Sequence, residues 1–322
     1  MTRAGDVQYL LSRMTRRWMA LVALLAPACA SDAAPQPGAD DPTARAWEKA
    51  GSWYPEDPDE LDDEVAGLLD AVGADQPRSA LAILAPHASL TSSGPTAAEV
   101  YARTVLPDHI IILAPDHFGD GARAAIWTDG PWLVPGHAIA IDHDLVAELQ
   151  AALPDLEPDR VPFGNHEEEM QLPFIQWLRP EASIAGIALF DNSRHFFDGF
   201  DPDRIAAWGE ALAGVLRAHA EAGEPVLLLT TTDLTHHQTL AVSDAEDPML
   251  LDHVETLDVE GLHAYVTGER ISMCGEIPTA IMMATLRALG RDRMDFVSRG
   301  SNFSSSGDEG DVVGYPAAAA WE

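Results

Sequence analysis

Leu81-Ala-Ile-Leu-Ala-Pro-His87, Ile110-Ile-Ile-Leu-Ala-Pro-Asp-His117 and Val226-Leu-Leu-Leu-Thr-Thr-Thr-Asp-Leu-Thr-His236 are the three stretches that decide the fold. Each is a short apolar run that ends in a histidine. Apolar residues without polar alternation mark strands buried on both faces, as in parallel sheets covered by helices. Helical signals lie between and around them. Leu61 to Val72 is amphipathic and follows an acidic turn, and Gly94-Pro95 predicts a helix start running to Tyr101. Asp144–Ala152, Asp201-Pro202 through Ala220 with Gly223 as the stop, and Pro278–Leu289 before Gly290 complete the helical segments. The alternation implies one α/β domain with a central, largely parallel sheet flanked by helices.

Ligands of open α/β sheets bind outside the carboxyl ends of the strands. Three strands that end in His87, His117 and His236 therefore aim imidazoles at the place where such folds carry chemistry. One strand-end histidine is ordinarily a loop residue; three in similar positions favour a site. The segment Asn165-His166-Glu167-Glu168-Glu169-Met-Gln-Leu-Pro-Phe174 adds an imidazole and carboxylates ahead of an apolar helix. Glu167 and Glu168 read as solvated charges at that helix start. Cys274 precedes Gly275 and the helix near Pro278, where a helix N-terminus favours thiolate. His109, His137, His143, His195, His219, His253 and His263 show no such placement, and His237 points elsewhere if His236 points in.

The chain has 322 residues and a formal net charge of −33, from 52 acidic against 19 basic residues. Phosphate-backbone recognition needs clustered Lys and Arg, so nucleic acid is not an expected partner. The first 29 residues read as an export signal. Arg16 and Arg17 form a basic region, and an apolar run from Trp18 to Ala28 is too short to span a bilayer. Cys29 follows among small residues, where a bacterial lipoprotein signal carries its acylated cysteine; Thr15-Arg-Arg-Trp-Met19 also resembles a twin-arginine signal. The expectation is an exported protein that meets the membrane only through a lipid anchor at Cys29. Residues 30–46, rich in Ala, Pro, Gly and Asp, read as a disordered tether. Residues 47–322 read as the metal-binding domain.

The motifs and their order also carry a resemblance. Ala50-Gly-Ser-Trp-Tyr-Pro, Ala-Pro-His87-Ala with Ser93-Gly-Pro95, Pro115-Asp-His117, Ile141-Asp142, His166 with Glu169-Met-Gln-Leu-Pro-Phe, Thr232-Asp-Leu-Thr-His236, Cys274-Gly275 and Gly314-Tyr315 together resemble the Memo family, protein B of the AmmeMemoRadiSam system. The resemblance implies a fold similar to class III extradiol ring-cleaving dioxygenases, which hold Fe(II) on two His and a Glu. It implies a metal on His87, His117 and Cys274, with Asp233 and His236 beside it and His166 and Glu169 lining the pocket. Asn165, Glu167, Asp116, Thr232 and Thr235 depart from the usual pattern, which bears on substrate preference.

Two imidazoles and a thiolate leave coordination positions open, unlike a closed structural zinc site. Mixed N/S ligation suits Fe(II), Cu or Zn, and the resemblance favours Fe(II). On that reading the protein is a dioxygenase-type enzyme for an unknown small molecule. His236 acts as acid/base, and Asp233 orients it or a metal-bound water. The alternatives are a non-catalytic copper, iron or peptide-binding protein, and a metal-assisted hydrolase.

Overall fold

Ile110, Ile111, Ile112 and Leu113 are fully buried, as are Leu227, Leu228 and Leu229, so the two central strands present no face to solvent. Burying each such side chain contributes about 1.5–3 kcal/mol, and the unbroken runs in the sequence are the cause. The computed structural model describes residues 36–74, 76–164, 166–190 and 202–322. Cys29, the expected export signal and His195 lie outside the described residues. No helix among the described residues is long and apolar enough to cross a membrane.

The strands in chain order are β1 (Ala80–Ala85), β2 (His109–Asp116), β3 (Ala124–Ile126), β4 (Trp132–Val134), β5 (His137–Ile141), β6 (Glu157–Pro158), β7 (Ser183–Phe190), β8 (Val226–Thr231), β9 (Asp295–Ser301) and β10 (Gly314–Trp321). They form one mixed sheet in the order β4-β5-β7-β2-β8-β1-β10-β9, with β3 paired to β7 and to β6. The central five, β5-β7-β2-β8-β1, are parallel. The flanks are antiparallel: β10 on β1, β9 on β10, β4 on β5, and β3 on β7. The fold is thus the expected α/β domain with a largely parallel sheet, finished by antiparallel edges that its apolar runs do not announce.

Chain order 1-2-8 becomes spatial order β2-β8-β1. The carboxyl ends that deliver His117, Asp233 with His236, and His87 are therefore immediate neighbours. The register fixes this: Ala85 stands beside Thr231, and Leu113 beside Thr230.

Two local expectations are corrected. The helix expected to start at Gly94-Pro95 starts at Leu90 and carries Pro95 inside it. An internal proline removes a backbone donor and crowds the preceding turn. The helix tolerates it in a segment packed closely on the helix Pro58–Val72, where a Cβ on Gly94 would meet Leu68 at 2.8 Å. The described part of the expected tether, residues 36–46, is attached to the sheet. Gln36 Nε2 donates to the carbonyls of Val134 and His137, both at 2.8 Å. Arg45 is buried, and its Nε donates to the Phe163 carbonyl at 2.8 Å. Composition marked this stretch as loose, but paired polar side chains anchor it.

Candidate metal centre

His87 follows β1 after Pro86 and is almost wholly buried. Its backbone N–H donates to Asp233 Oδ1 at 3.0 Å, and its Nδ1 lies 2.9 Å from Thr231 Oγ1. These contacts leave Nε2 facing Cys274 Sγ at 3.2 Å. Burial, and then the neighbouring His117, His166 and His236, hold its pKa well below 6.5. The ring is neutral, the form that binds metal.

His117 follows β2 directly. Its ring is partly exposed, and Nδ1 is hydrogen-bonded to the Glu167 carboxylate. Burial alone opposes charge on this ring, but hydrogen bonds with Cys274 and Glu167 raise its pKa to about 11. His166 stacks on His117 with ring centroids 5.5 Å apart and 9° between planes, and Trp53 packs on His166 in a tilted, edge-type contact with centroids 4.3 Å apart. Burial lowers the His166 pKa to about 4. One ligand atom from each of His87, His117 and His166 lies within 4.8 Å of the others, so these three residues can hold one metal ion.

Cys274 stands at the same point, in contact with His87 and His117. Its sulfur accepts the backbone N–H of Asp233 at 3.1 Å. The turn approaches β8 so closely that a Cβ on Gly275 would come within 2.5 Å of Thr232, which explains a glycine there. The helix begins at Glu276 rather than Pro278. Its N-terminus does not dominate the thiol, because burial pushes the Cys274 pKa up. Ligand atoms bound at about 2.0–2.3 Å stand roughly 3–4 Å apart around a tetrahedral ion. The 3.2 Å between Cys274 Sγ and His87 Nε2 fits that spacing.

Asp233 and His236 flank the cluster but do not form the expected hydrogen bond. His236 Nε2 is 3.9 Å from Asp233 Oδ2, beyond hydrogen-bond range. His236 is oriented instead through Nδ1, which lies 2.9 Å from the Leu234 carbonyl and 2.7 Å from that of Ser272. Asp233 connects β1 to the Cys274 turn. Burial raises its carboxyl to about 7. His237, exposed and bonded to Asp311, points away from the centre as expected.

The acidic run is where the sequence reading fails most. Glu167 and Glu168 are buried rather than solvated, and Glu169 beside them is buried as well. Glu167 orients His117, the arrangement in which a carboxylate fixes a metal-binding imidazole. Burial, and then the adjacent Glu167, hold the Glu168 carboxyl far above its ordinary range. Glu169, expected to line the pocket, accepts hydrogen bonds from Arg45 (2.8 Å), Tyr54 (2.6 Å) and the backbone N–H groups of Glu48 and Lys49. It latches the N-terminal segment and so positions Trp53 against His166.

The fold and this cluster define an α/β protein whose strand-end histidines can take one metal ion. Residues 45–319 match the family described as Memo-like protein. The chain belongs to the Memo family. Similar curated proteins include a MEMO1 family protein of Methanothermobacter thermautotrophicus, 27% identical over 83% of this chain and 96% of that one. One from Caldivirga maquilingensis is 30% identical over 74% of this chain and 82% of that one. One from Aquifex aeolicus is 28% identical, covering 83% and 95%. Among solved structures, an uncharacterized protein of Escherichia coli K12 aligns with a TM-score of 0.43 at 11% identity, over 73% of this chain and 98% of that one.

Proposed function

We propose that the chain is a non-haem iron oxidoreductase of dioxygenase type acting on a small molecule, with its metal on His87, His117 and Cys274. The observation that carries the reading is a separate, oriented imidazole beside the metal-binding donors. His236 Nδ1 faces two carbonyl oxygens, which accept only, so this nitrogen carries the hydrogen. Nε2 is then the basic nitrogen of the neutral ring, on the side of Asp233. Metal retention alone has no use for such a group.

Iron bound by His87, His117 and Cys274 would supply the redox chemistry that dioxygen activation requires. The residues do the rest. His87 is neutral, with its lone pair ready for the metal, and the neutral His166 stacks on His117 beside it. His117 and Cys274 hold protons near neutrality that metal binding would displace. His236 is placed to take a proton from a hydroxyl group of the substrate, and the carboxyl of Asp233, near neutrality, lies beside it.

Iron content and oxygen uptake should be measured on the same preparations, with catechol-like and other aromatic compounds. His236→Ala should keep most of its iron and lose uptake, whereas His87→Ala should lose both. Fully iron-loaded wild type that consumes no oxygen with any compound would instead make this a metal-binding protein without turnover.

A further inference from the structure

Lys49 is the only lysine in the chain; every other fixed cation is an arginine. It lies in the segment latched by Glu169, which accepts its backbone N–H at 2.8 Å. The Lys49 carbonyl in turn accepts the N–H groups of Ser52 (3.0 Å) and Trp53 (2.8 Å), so Lys49 and Trp53 form one fixed turn. Its ammonium is 5.3 Å from the centroid of the Trp53 ring, and that ring packs on His166 with centroids 4.3 Å apart. Lys49 is half-buried.

The chain carries 52 acidic residues, and its arginines are paired widely: Arg103 with Glu99, Arg179 with Asp108, Arg299 with Asp244 and Asp247. Lys49 makes no ion pair with any described residue. A cation held at the rim of a metal centre, against an aromatic face and without a carboxylate partner, is complementary to an anion supplied from outside.

We propose that Lys49 anchors the anionic group, a carboxylate or phosphate, of a small-molecule ligand whose other end reaches the histidine cluster, with Trp53 as the wall against which that ligand lies. This rests on the reading of the centre as a small-molecule site and names the ligand class. A half-buried cation gains from a charge-assisted hydrogen bond to the anion. The strongly acidic surface repels anions elsewhere on the protein.

The single lysine makes the test direct. An amine-selective acylating reagent can modify the full chain only at Lys49 and the α-amino group, and peptide mass spectrometry separates the two. Benzoate and phenyl phosphate should slow acylation of Lys49, whereas the neutral isostere benzamide should not; the stronger protector identifies the group preferred. In ligand-observed NMR titrations, Lys49→Gln should weaken binding of the protecting anion about tenfold or more, and Lys49→Arg should retain most of it. Protection by neither anion, equal protection by benzamide, or unchanged anion binding in Lys49→Gln would overturn the proposal. None of these readouts requires turnover. Metal uptake with no anion effect would defeat this inference alone, while failure to take up metal would defeat the iron reading and leave the anion result to be judged separately.

Discussion

Asp233 accepts the backbone N–H of His87 at 3.0 Å while its own N–H donates to Cys274 Sγ at 3.1 Å. A single residue, two positions beyond β8, thus holds the histidine after β1 and the cysteine before the helix at Glu276. Asp233→Asn keeps a carbonyl oxygen for His87 and should retain metal stoichiometry. Asp233→Ala leaves a buried N–H without its acceptor, a loss of about 1–3 kcal/mol. Thermal unfolding and metal content of the two variants should separate accordingly; equal loss in both would show that the carboxylate charge, rather than the hydrogen bond, matters.

Glu167 should count as part of the metal centre. Glu167→Ala frees the His117 ring, and loss of such an orienting carboxylate typically lowers metal affinity about 10–100-fold. Chelator competition measures this, and unchanged affinity would remove Glu167 from the centre.

The sequence announced the strands that carry the chemistry because burial on both faces writes itself as unbroken apolar runs, as in Ile110–Leu113. It did not announce β10, whose Gly-Tyr-Pro-Ala-Ala-Ala-Ala-Trp mixes a strand-breaking proline with helix-favouring alanines. Pro316 lies outside the residues of β10 that pair with β1, so the proline costs that pairing nothing. Nor did it announce the burial of Glu167 and Glu169. A carboxylate goes inside only when a partner meets it there, and those partners, His117 and Arg45, are distant in sequence. The histidine cluster was legible from its place after the strands. His166 stood only among the expected pocket-lining residues, because no strand leads to it.

Metal binding should release protons. His117, at about 11, and Cys274, pushed up by burial, both carry protons at pH 7, whereas His87 and His166 do not. Protons on donor atoms compete with metal, so affinity must rise with pH, by about tenfold per unit for each proton displaced. Calorimetry in buffers of different ionisation enthalpy should give about two protons per metal for His87, His117 and Cys274. About one proton would indicate the three histidines without the cysteine.

We further propose export with lipid attachment at Cys29, on the strength of the basic and apolar segments that precede it. Cells fed a clickable fatty acid should tag the protein, and Cys29→Ser should abolish the tag. Untagged wild type with an intact N-terminus would contradict both export and anchoring.

In the proposed centre Cys274, rather than His166, completes the metal site with His87 and His117. The absorption spectrum of cobalt-substituted protein tests it most directly, because only a bound thiolate gives sulfur-to-metal charge transfer. Wild-type protein should bind one cobalt per chain with a charge-transfer band that survives His166→Ala and disappears in Cys274→Ser. A wild-type cobalt protein without that band, whose metal is lost in His166→Ala and retained in Cys274→Ser, would contradict it.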